Sequence, residues 1–113
     1  MITPDYTIAV NEPKDADLSF VVNCTPYNTE VNISLMYAEN ENSQATLKEE
    51  WRMMLNKGDI QIRPKNEIDK FGIYWYDILD VRNHDDTTNN LNSKKIKIVS
   101  SGVYTNEYNE PYN

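Results

Sequence analysis

The segment from Phe71 to Val81 constrains the fold more than any other part of the sequence. Successive side chains of a strand point to opposite faces of a sheet, and here both faces carry large apolar groups. One face holds Ile73, Trp75, Leu79 and Val81, and the other holds Tyr74, Tyr76 and Ile78. Such a strand is central in a closed barrel or sandwich, or is covered on its outer face by another chain.

Alternation of apolar and polar residues predicts further strands on both sides of this segment. They are expected at residues 6–11, 18–24, 31–37, 59–63 and 95–99. Pro26 and Asn28 predict a turn, so the second and third of these strands should form a hairpin. The segment 72–82 is expected to pair in antiparallel fashion with the strand 95–99, across a polar connection at 82–93.

Residues 46–57 are the one segment whose pattern predicts an α-helix. Thr46 and Glu49 have the spacing of a capping box, and Gly58 follows as a C-terminal stop. Four apolar residues fall on one helical stripe: Leu47, Trp51, Met54 and Leu55. A helix of about three turns is unstable alone in water, so it should lie on a sheet or cap a barrel.

These elements fit one domain, because two cores in 113 residues would each be too small. We predict a mainly β fold: a small antiparallel β-barrel or sandwich with one short amphipathic α-helix at about 46–57 and an extended C-terminal arm. The domain is expected to span residues 1–102 and the arm residues 103–113. The residues expected to be buried are Leu35, Leu47, Trp51, Leu55, Ile73, Trp75 and Val81.

The core of such a domain is small, since 39% of the residues are hydrophobic and the mean hydropathy is -0.73. Small domains are often stabilised by disulfides, metals or oligomerisation. One Cys and one His support neither of the first two. A homo-oligomer is therefore expected.

The net charge of -7, from 18 acidic and 11 basic residues, excludes some partners. It disfavours binding to duplex nucleic acid and to anionic lipid, so we expect no sequence-specific nucleic-acid binding and no membrane association. Acidity permits the opposite idea, in which carboxylates imitate a phosphate backbone. A charge that keeps the surface soluble is the simpler interpretation.

The N-terminal residues 1–10 have no basic region and no apolar run long enough for a signal peptide. No stretch reaches the length of a transmembrane helix. With a single Cys, these features predict a soluble protein made in a reducing cytoplasm.

No group of residues indicates catalysis. Cys24 has no basic residue nearby and is interpreted as a small buried hydrophobe, not a reactive thiol. His84 precedes two aspartates that could form a metal or acid–base cluster, but such residues are typical of a solvated turn. The three glycines are isolated, and one Cys with one His cannot build a common zinc site. We expect no enzyme activity, no catalytic residue, no metal and no cofactor.

Two aspartates interrupt the apolar strand, but their positions separate them. Asp77 and Asp80 point to opposite faces in regular β geometry, so they cannot form a paired carboxylate site. A salt bridge to Arg63 or Arg82 is the expected role of either.

The C-terminal residues 103–113 are rich in tyrosine. Pro111 and the Asn-rich sequence disfavour a helix, so the segment is either a frayed terminus or an arm that orders on a neighbouring chain. Aromatic side chains suit the centres of protein interfaces. The candidate interface residues are Tyr74, Tyr76, Tyr104, Tyr108 and Tyr112.

Three segments carry a resemblance to a known family. They are Ile60-Gln-Ile-Arg63, then Tyr76-Asp-Ile-Leu-Asp-Val81-Arg-Asn83, and Lys95-Ile-Lys-Ile-Val99. This succession resembles the small β-barrel connector proteins at the head–tail junction of tailed bacteriophages, called head–tail joining, adaptor or stopper proteins. The resemblance covers about residues 59–99 and implies a ring-forming virion protein between portal and tail that helps to retain packaged DNA.

The chain departs from that family at two places. Family members usually begin with a basic, strand-forming segment, whereas this N-terminus is acidic. The predicted helix at 46–57 also lies closer to the first matched strand than the family pattern implies.

The leading hypothesis is a structural assembly protein, a bacteriophage virion component of the connector or stopper type. It would act through contacts with its own copies and with portal, adaptor or tail components, in the virion, after synthesis in the host cytoplasm. The alternative is an acidic phage-encoded inhibitor that mimics nucleic acid to block a host enzyme. A third hypothesis is a ligand-binding β-sandwich that uses exposed Tyr and Trp, for example to bind carbohydrate. Mimicry would need carboxylates in a phosphate-like array on one face.

Overall fold

The computed structural model describes residues 1–24, 29–55, 58–80 and 91–102. Within these ranges the chain is mainly β, as predicted, and its only helical element is a 3-10 turn at Pro13–Asp15. The strands are β1 (Tyr6–Val10), β2 (Phe20–Cys24), β3 (Thr29–Ala38), β4 (Thr46–Leu55), β5 (Gly58–Ile62), β6 (Gly72–Asp80), β7 (Leu91–Asn92) and β8 (Ile96–Ser100).

Six of these strands form one sheet in the order β1-β8-β6-β3-β4, with the short β7 also paired to β6. β1 and β8 run parallel, and the other pairs are antiparallel. The predicted antiparallel pairing of β6 with β8 is confirmed, with Tyr74 opposite Ile96. β3 and β6 occupy the centre of this sheet, where both of their edges are paired.

The inner face of the sheet, defined by the buried side chains Val31, Ile33 and Leu35 of β3, carries the main core. β2 and β5 pair with each other as a separate two-stranded ribbon, with Phe20 opposite Ile62. The same cluster includes Ile62 of the ribbon and Leu18 and Ile68 of the connecting segments. Its members on the other strands of the sheet are Tyr74, Tyr76, Ile78, Ile96 and Ile98. The ribbon therefore covers the inner face.

The outer face of the sheet carries a smaller cluster of Ala38, Ile73 and Trp75. Ile2 packs against this cluster, and its backbone N–H donates to the carbonyl of Glu41 (2.8 Å). The N-terminal segment thus covers part of the outer face. The predicted division of β6 is confirmed at its described positions, with Ile73 and Trp75 in this cluster and the two tyrosines in the inner one.

The predicted α-helix at 46–57 is wrong, because residues 46–55 form β4 and pair with β3. In β4 the residues of the predicted helical stripe divide between the two faces, with Leu47 and Met54 on the outer face and Trp51 on the inner face. Trp51 and Met53 lie opposite Ile33 and Val31 and pack against the inner core. Pairing and packing against the sheet therefore override a helix propensity that is weak by comparison.

The two residues of the predicted capping box make tertiary bonds instead. The Thr46 hydroxyl donates to the carbonyl of Tyr37 (3.4 Å). The Glu49 carboxylate accepts the backbone N–H groups of Lys65 (2.7 Å) and Asn66 (3.0 Å). Their side chains therefore connect β4 to neighbouring chain segments.

Two predictions about strand pairing are also wrong. β2 does not form a hairpin with β3, because β3 already has β4 and β6 on its two edges and β2 pairs with β5. The sheets do not close into a barrel in the described part of the chain, since β1 and β4 end the sheet at opposite edges. The predicted C-terminal arm lies outside the described residues.

The predicted core is partly correct. Leu35 and Ile73 are fully buried and Trp75 is 7% exposed. Leu47 is 53% exposed, because the strand geometry turns it to the outer face of an edge strand. Trp51 is only partly buried, since β4 lies at the edge. The Leu55 side chain and Val81 are not among the described parts.

Gly72 begins β6 at a point where no other residue fits. Its φ is +151°, a backbone conformation that residues with a side chain rarely adopt. A Cβ atom there would lie 2.5 Å from Cε1 of Tyr37 and 2.7 Å from the carbonyl oxygen of Ala38. The close approach lets the Tyr37 ring pack on that of Tyr74, with centroids 4.9 Å apart.

Gly72→Ala should therefore lower the free energy of unfolding by at least about 2 kcal/mol, since it adds backbone strain and a clash. Urea denaturation measures the change. Thr7→Ala, at an exposed position of β1, is the control and should change stability by less than about 0.5 kcal/mol. Equal stability of Gly72→Ala and the control would contradict this role of Gly72.

Candidate functional site

Two of the five candidate interface residues lie in the chain's own core. Tyr74 is 1% exposed and Tyr76 is 3% exposed. The Tyr74 hydroxyl donates to the carbonyl of Lys70 (2.7 Å). Neither ring is therefore presented on the surface of the chain. Tyr104, Tyr108 and Tyr112 lie outside the described residues.

Tyr76 sits at the junction of the ribbon, the central strand β6 and the edge strand β4. Its hydroxyl donates to the carbonyl of Leu18 (2.9 Å). Its ring stacks on Phe20, with centroids 6.3 Å apart, and meets Trp51 edge-on at 6.5 Å. Burial raises the pKa of the Tyr76 phenol, and burial likewise raises the pKa of Tyr74. Both phenols are held neutral by the core and serve in packing.

The structure describes only part of the residues considered as catalytic candidates. Cys24 ends β2, opposite Gly58. His84 with its two neighbouring aspartates lies outside the described residues. Among the described residues, no three His, Cys, Asp or Glu side chains come together in a way that could hold a metal ion.

Asp77 faces the outer side of β6 and is partly buried there. Burial raises the pKa of its carboxyl group, and the opposing effects are a hydrogen bond with Trp75 and the charge of Lys95. The Lys95 Nζ lies 5.3 Å from the centroid of the Trp75 ring. Of the two arginines predicted as its ion-pair partner, Arg63 hydrogen-bonds to Gln61, and Arg82 is not described. Asp77 is therefore a partly buried polar residue that hydrogen-bonds within its own chain.

Several other carboxylates are engaged within the chain. Glu41 accepts from Lys97 (2.9 Å), and this bond lowers the pKa of Glu41. Asp69 accepts from Lys48 (2.8 Å), which lowers the pKa of Asp69 in the same way. These pairs are at least partly exposed to solvent, so they contribute little to stability. They do intersperse positive charges among the acidic groups.

The edge strand β4 is the most extensive unpaired feature of the described chain. It is ten residues long and pairs only with β3, so one of its edges has no neighbouring strand among the described residues. Leu47 (53% exposed) and Met54 (48% exposed) are large apolar side chains on this strand. An edge of this length, with apolar groups beside it, is a template for pairing with another chain.

An apolar pocket of about 230 Å³ lies between the ribbon and the inner face of the sheet. Its lining includes Leu18, Phe20, Tyr74 and Ile96, with the exposed Lys94 and the 47%-exposed Tyr6 also contributing. The pocket could accommodate an apolar side chain. No Asp or Glu is among its lining residues. Sequence reasoning did not find the pocket, because it arises where the ribbon, β6 and β8 meet.

The raised pKa values of Tyr74 and Tyr76 predict loss of stability in alkali. In the unfolded chain each phenol deprotonates near pH 10, whereas the folded chain keeps the proton. The stabilisation is complete below about pH 10 and falls above it by up to about 1.4 kcal/mol per pH unit for each phenol. Urea denaturation between about pH 8 and pH 11.5, in steps of about 0.5 pH unit, measures how the free energy of unfolding changes with pH.

Tyr76→Phe provides the control for that slope. It should cost about 1–3 kcal/mol at neutral pH, because the buried Leu18 carbonyl loses its donor. Its stability should then decrease less steeply than that of the wild type above pH 10. An identical alkaline slope in both proteins would show that Tyr76 does not resist deprotonation.

Comparison with known proteins adds no relative: no family model, no curated protein and no solved structure matches the chain. Within the described ranges, no helix has the length and apolar character needed to cross a membrane.

Proposed function

We propose that the chain is a structural assembly protein that acts through protein–protein contacts and not by catalysis. The observation that carries the proposal is the open edge of β4, ten residues long and flanked by the exposed side chains of Leu47 and Met54. Strand addition at such an edge supplies main-chain hydrogen bonds, and the flanking side chains supply specificity.

The setting we propose is the bacteriophage virion, as a connector- or stopper-like subunit at the head–tail junction. This finer proposal is supported by the resemblance of residues 59–99 to head–tail connector proteins. The partners would be further copies of the chain and portal, adaptor or tail components. The chain would be made in the host cytoplasm and would work in the assembled particle.

Acidic mimicry of nucleic acid has less support. A mimic needs free carboxylates in a phosphate-like array on one face. Here Glu41 and Asp69 each bind a lysine, and Glu49 binds the backbone of residues 65–66. This distribution of charge favours the assembly proposal over the inhibitor.

Leu47→Lys and Met54→Lys should each weaken association by about tenfold or more, since charge on an edge strand opposes pairing. Sedimentation and native mass measurement, on the purified chain alone and with virion extracts, detect the association. Val21→Lys is the matched control, because Val21 is 55% exposed and lies on the ribbon. The assembly proposal fails if no larger species forms in either condition, or if the control weakens association as much as the β4 variants do.

Deleting residues 103–113 should impair assembly and change the melting temperature of the isolated domain by less than about 2 °C. The tail carries three tyrosines but too many polar residues to form a core of its own. Calorimetry and the same association measurement test both parts. A large drop in melting temperature would place the tail in the domain core, and normal assembly would remove its role as an arm.

A further inference from the structure

The open edge of β4 carries two opposite charges side by side on the outer face. Glu50 lies opposite Ser34, and Arg52 lies opposite Asn32. Both are exposed, and their spacing of two residues places them on the same face. The Asn32 side-chain amide donates to Oε2 of Glu50 (2.8 Å), which holds this carboxylate on the outer face.

Arg52 is available for a contact with another molecule. Within the described residues, the structure records no hydrogen bond or ion pair of its guanidinium group. Arginine pairs with a carboxylate through two parallel hydrogen bonds when one is presented at the right distance. Its position beside the unpaired edge of β4 means that the carboxylate would come from a strand added to that edge.

A second copy of β4 supplies that carboxylate in one register. When a strand pairs in antiparallel fashion with its own copy, a two-fold axis relates the two, and each contact occurs twice. With the axis at Trp51, Glu50 of each chain faces Arg52 of the other. Cross-strand pairs of opposite charge stabilise a sheet, and like charges destabilise it.

Neighbouring registers are unfavourable for the same reason. The two-fold axis can also be placed one residue earlier or later along β4, and both of these registers keep the two cores on the same side of the joined sheet. An axis at Glu50 would place two carboxylates opposite each other, and an axis at Arg52 would do the same with two guanidinium groups. Among these three registers, the charges therefore favour the one centred on Trp51.

The exposed apolar side chains fit this register as well. The bulge in β4 pairs Leu47, and not Lys48, with Met36 of β3. It places Leu47 on the outer face, near the position that Met54 of the second copy would take. These two exposed side chains would then cover each other at both ends of the paired region.

We propose that the chain forms a two-fold dimer in which β4 pairs in antiparallel fashion with β4 of a second copy, centred on Trp51 and fixed by reciprocal Glu50–Arg52 contacts. The inference rests on the proposed assembly function and names the partner of its open edge. Such a pair is closed, so a ring would have to use a different surface. The opposite edge of the sheet, at β1, is one such surface.

Reversing one charge at a time tests the contacts. Glu50→Arg and Arg52→Glu should each weaken dimerisation at least about tenfold, because two attractive pairs become repulsive. The double variant Glu50→Arg/Arg52→Glu should restore the dissociation constant to within about threefold of the wild type. Analytical ultracentrifugation of the full chain measures it, and Lys14→Glu, an exposed change on the 3-10 turn, is the control.

Mixing the two single variants gives the sharper result. Neither should dimerise well alone, but together they should form a heterodimer, because each then presents the charge that the other needs. This rescue cannot arise from a misfolded chain. Failure of both the mixture and the double variant to dimerise would overturn the register.

The dimer and the assembly function can fail separately. If the wild-type chain alone stays monomeric up to about 100 μM, the self-pairing is overturned. Loss of binding to virion components in Leu47→Lys and Met54→Lys would then still support the assembly function. If those two variants also bind normally, both proposals fall.

Discussion

The buried side chain of Tyr76 links the two-stranded ribbon to the central strand β6 and to the edge strand β4. It lies on β6, and its hydroxyl donates to the Leu18 carbonyl just before the ribbon begins. Its ring meets Phe20 of the ribbon and Trp51 of the edge strand. Ribbon, central strand and edge strand therefore share one residue, and the inner face of the sheet is closed around it.

That closure explains which surfaces remain for function. The inner face is used by the chain's own core, so Tyr74 and Tyr76 are buried there and not exposed to partners. The outer face is partly covered by the N-terminal residues. What remains open in the described chain includes the edge of β4, where backbone groups, two apolar side chains and two opposite charges lie together. These open features are the support for the proposed binding role.

The side chains of β4 also limit which strands can pair with its open edge. β4 carries four charged residues, Lys48, Glu49, Glu50 and Arg52, and a bulge interrupts its pairing with β3 between Leu35 and Met36. Charges and bulges on edge strands discourage indiscriminate pairing. On β4, Glu50 and Arg52 would at the same time favour one particular partner and one register.

The order of side chains along the chain predicts the β class, the positions of most strands and the two faces of β6, because a period of two is a local property. It did not determine that residues 46–55 form a strand, since Leu47, Trp51 and Met54 fit a helical stripe as well. Nor could it show that β2 pairs with β5, or that an apolar pocket forms beneath the ribbon. Those features depend on which strands pair with the two edges of β3 and of β6. Only the tertiary structure decided that, because strand pairing and burial between distant segments outweigh local propensity.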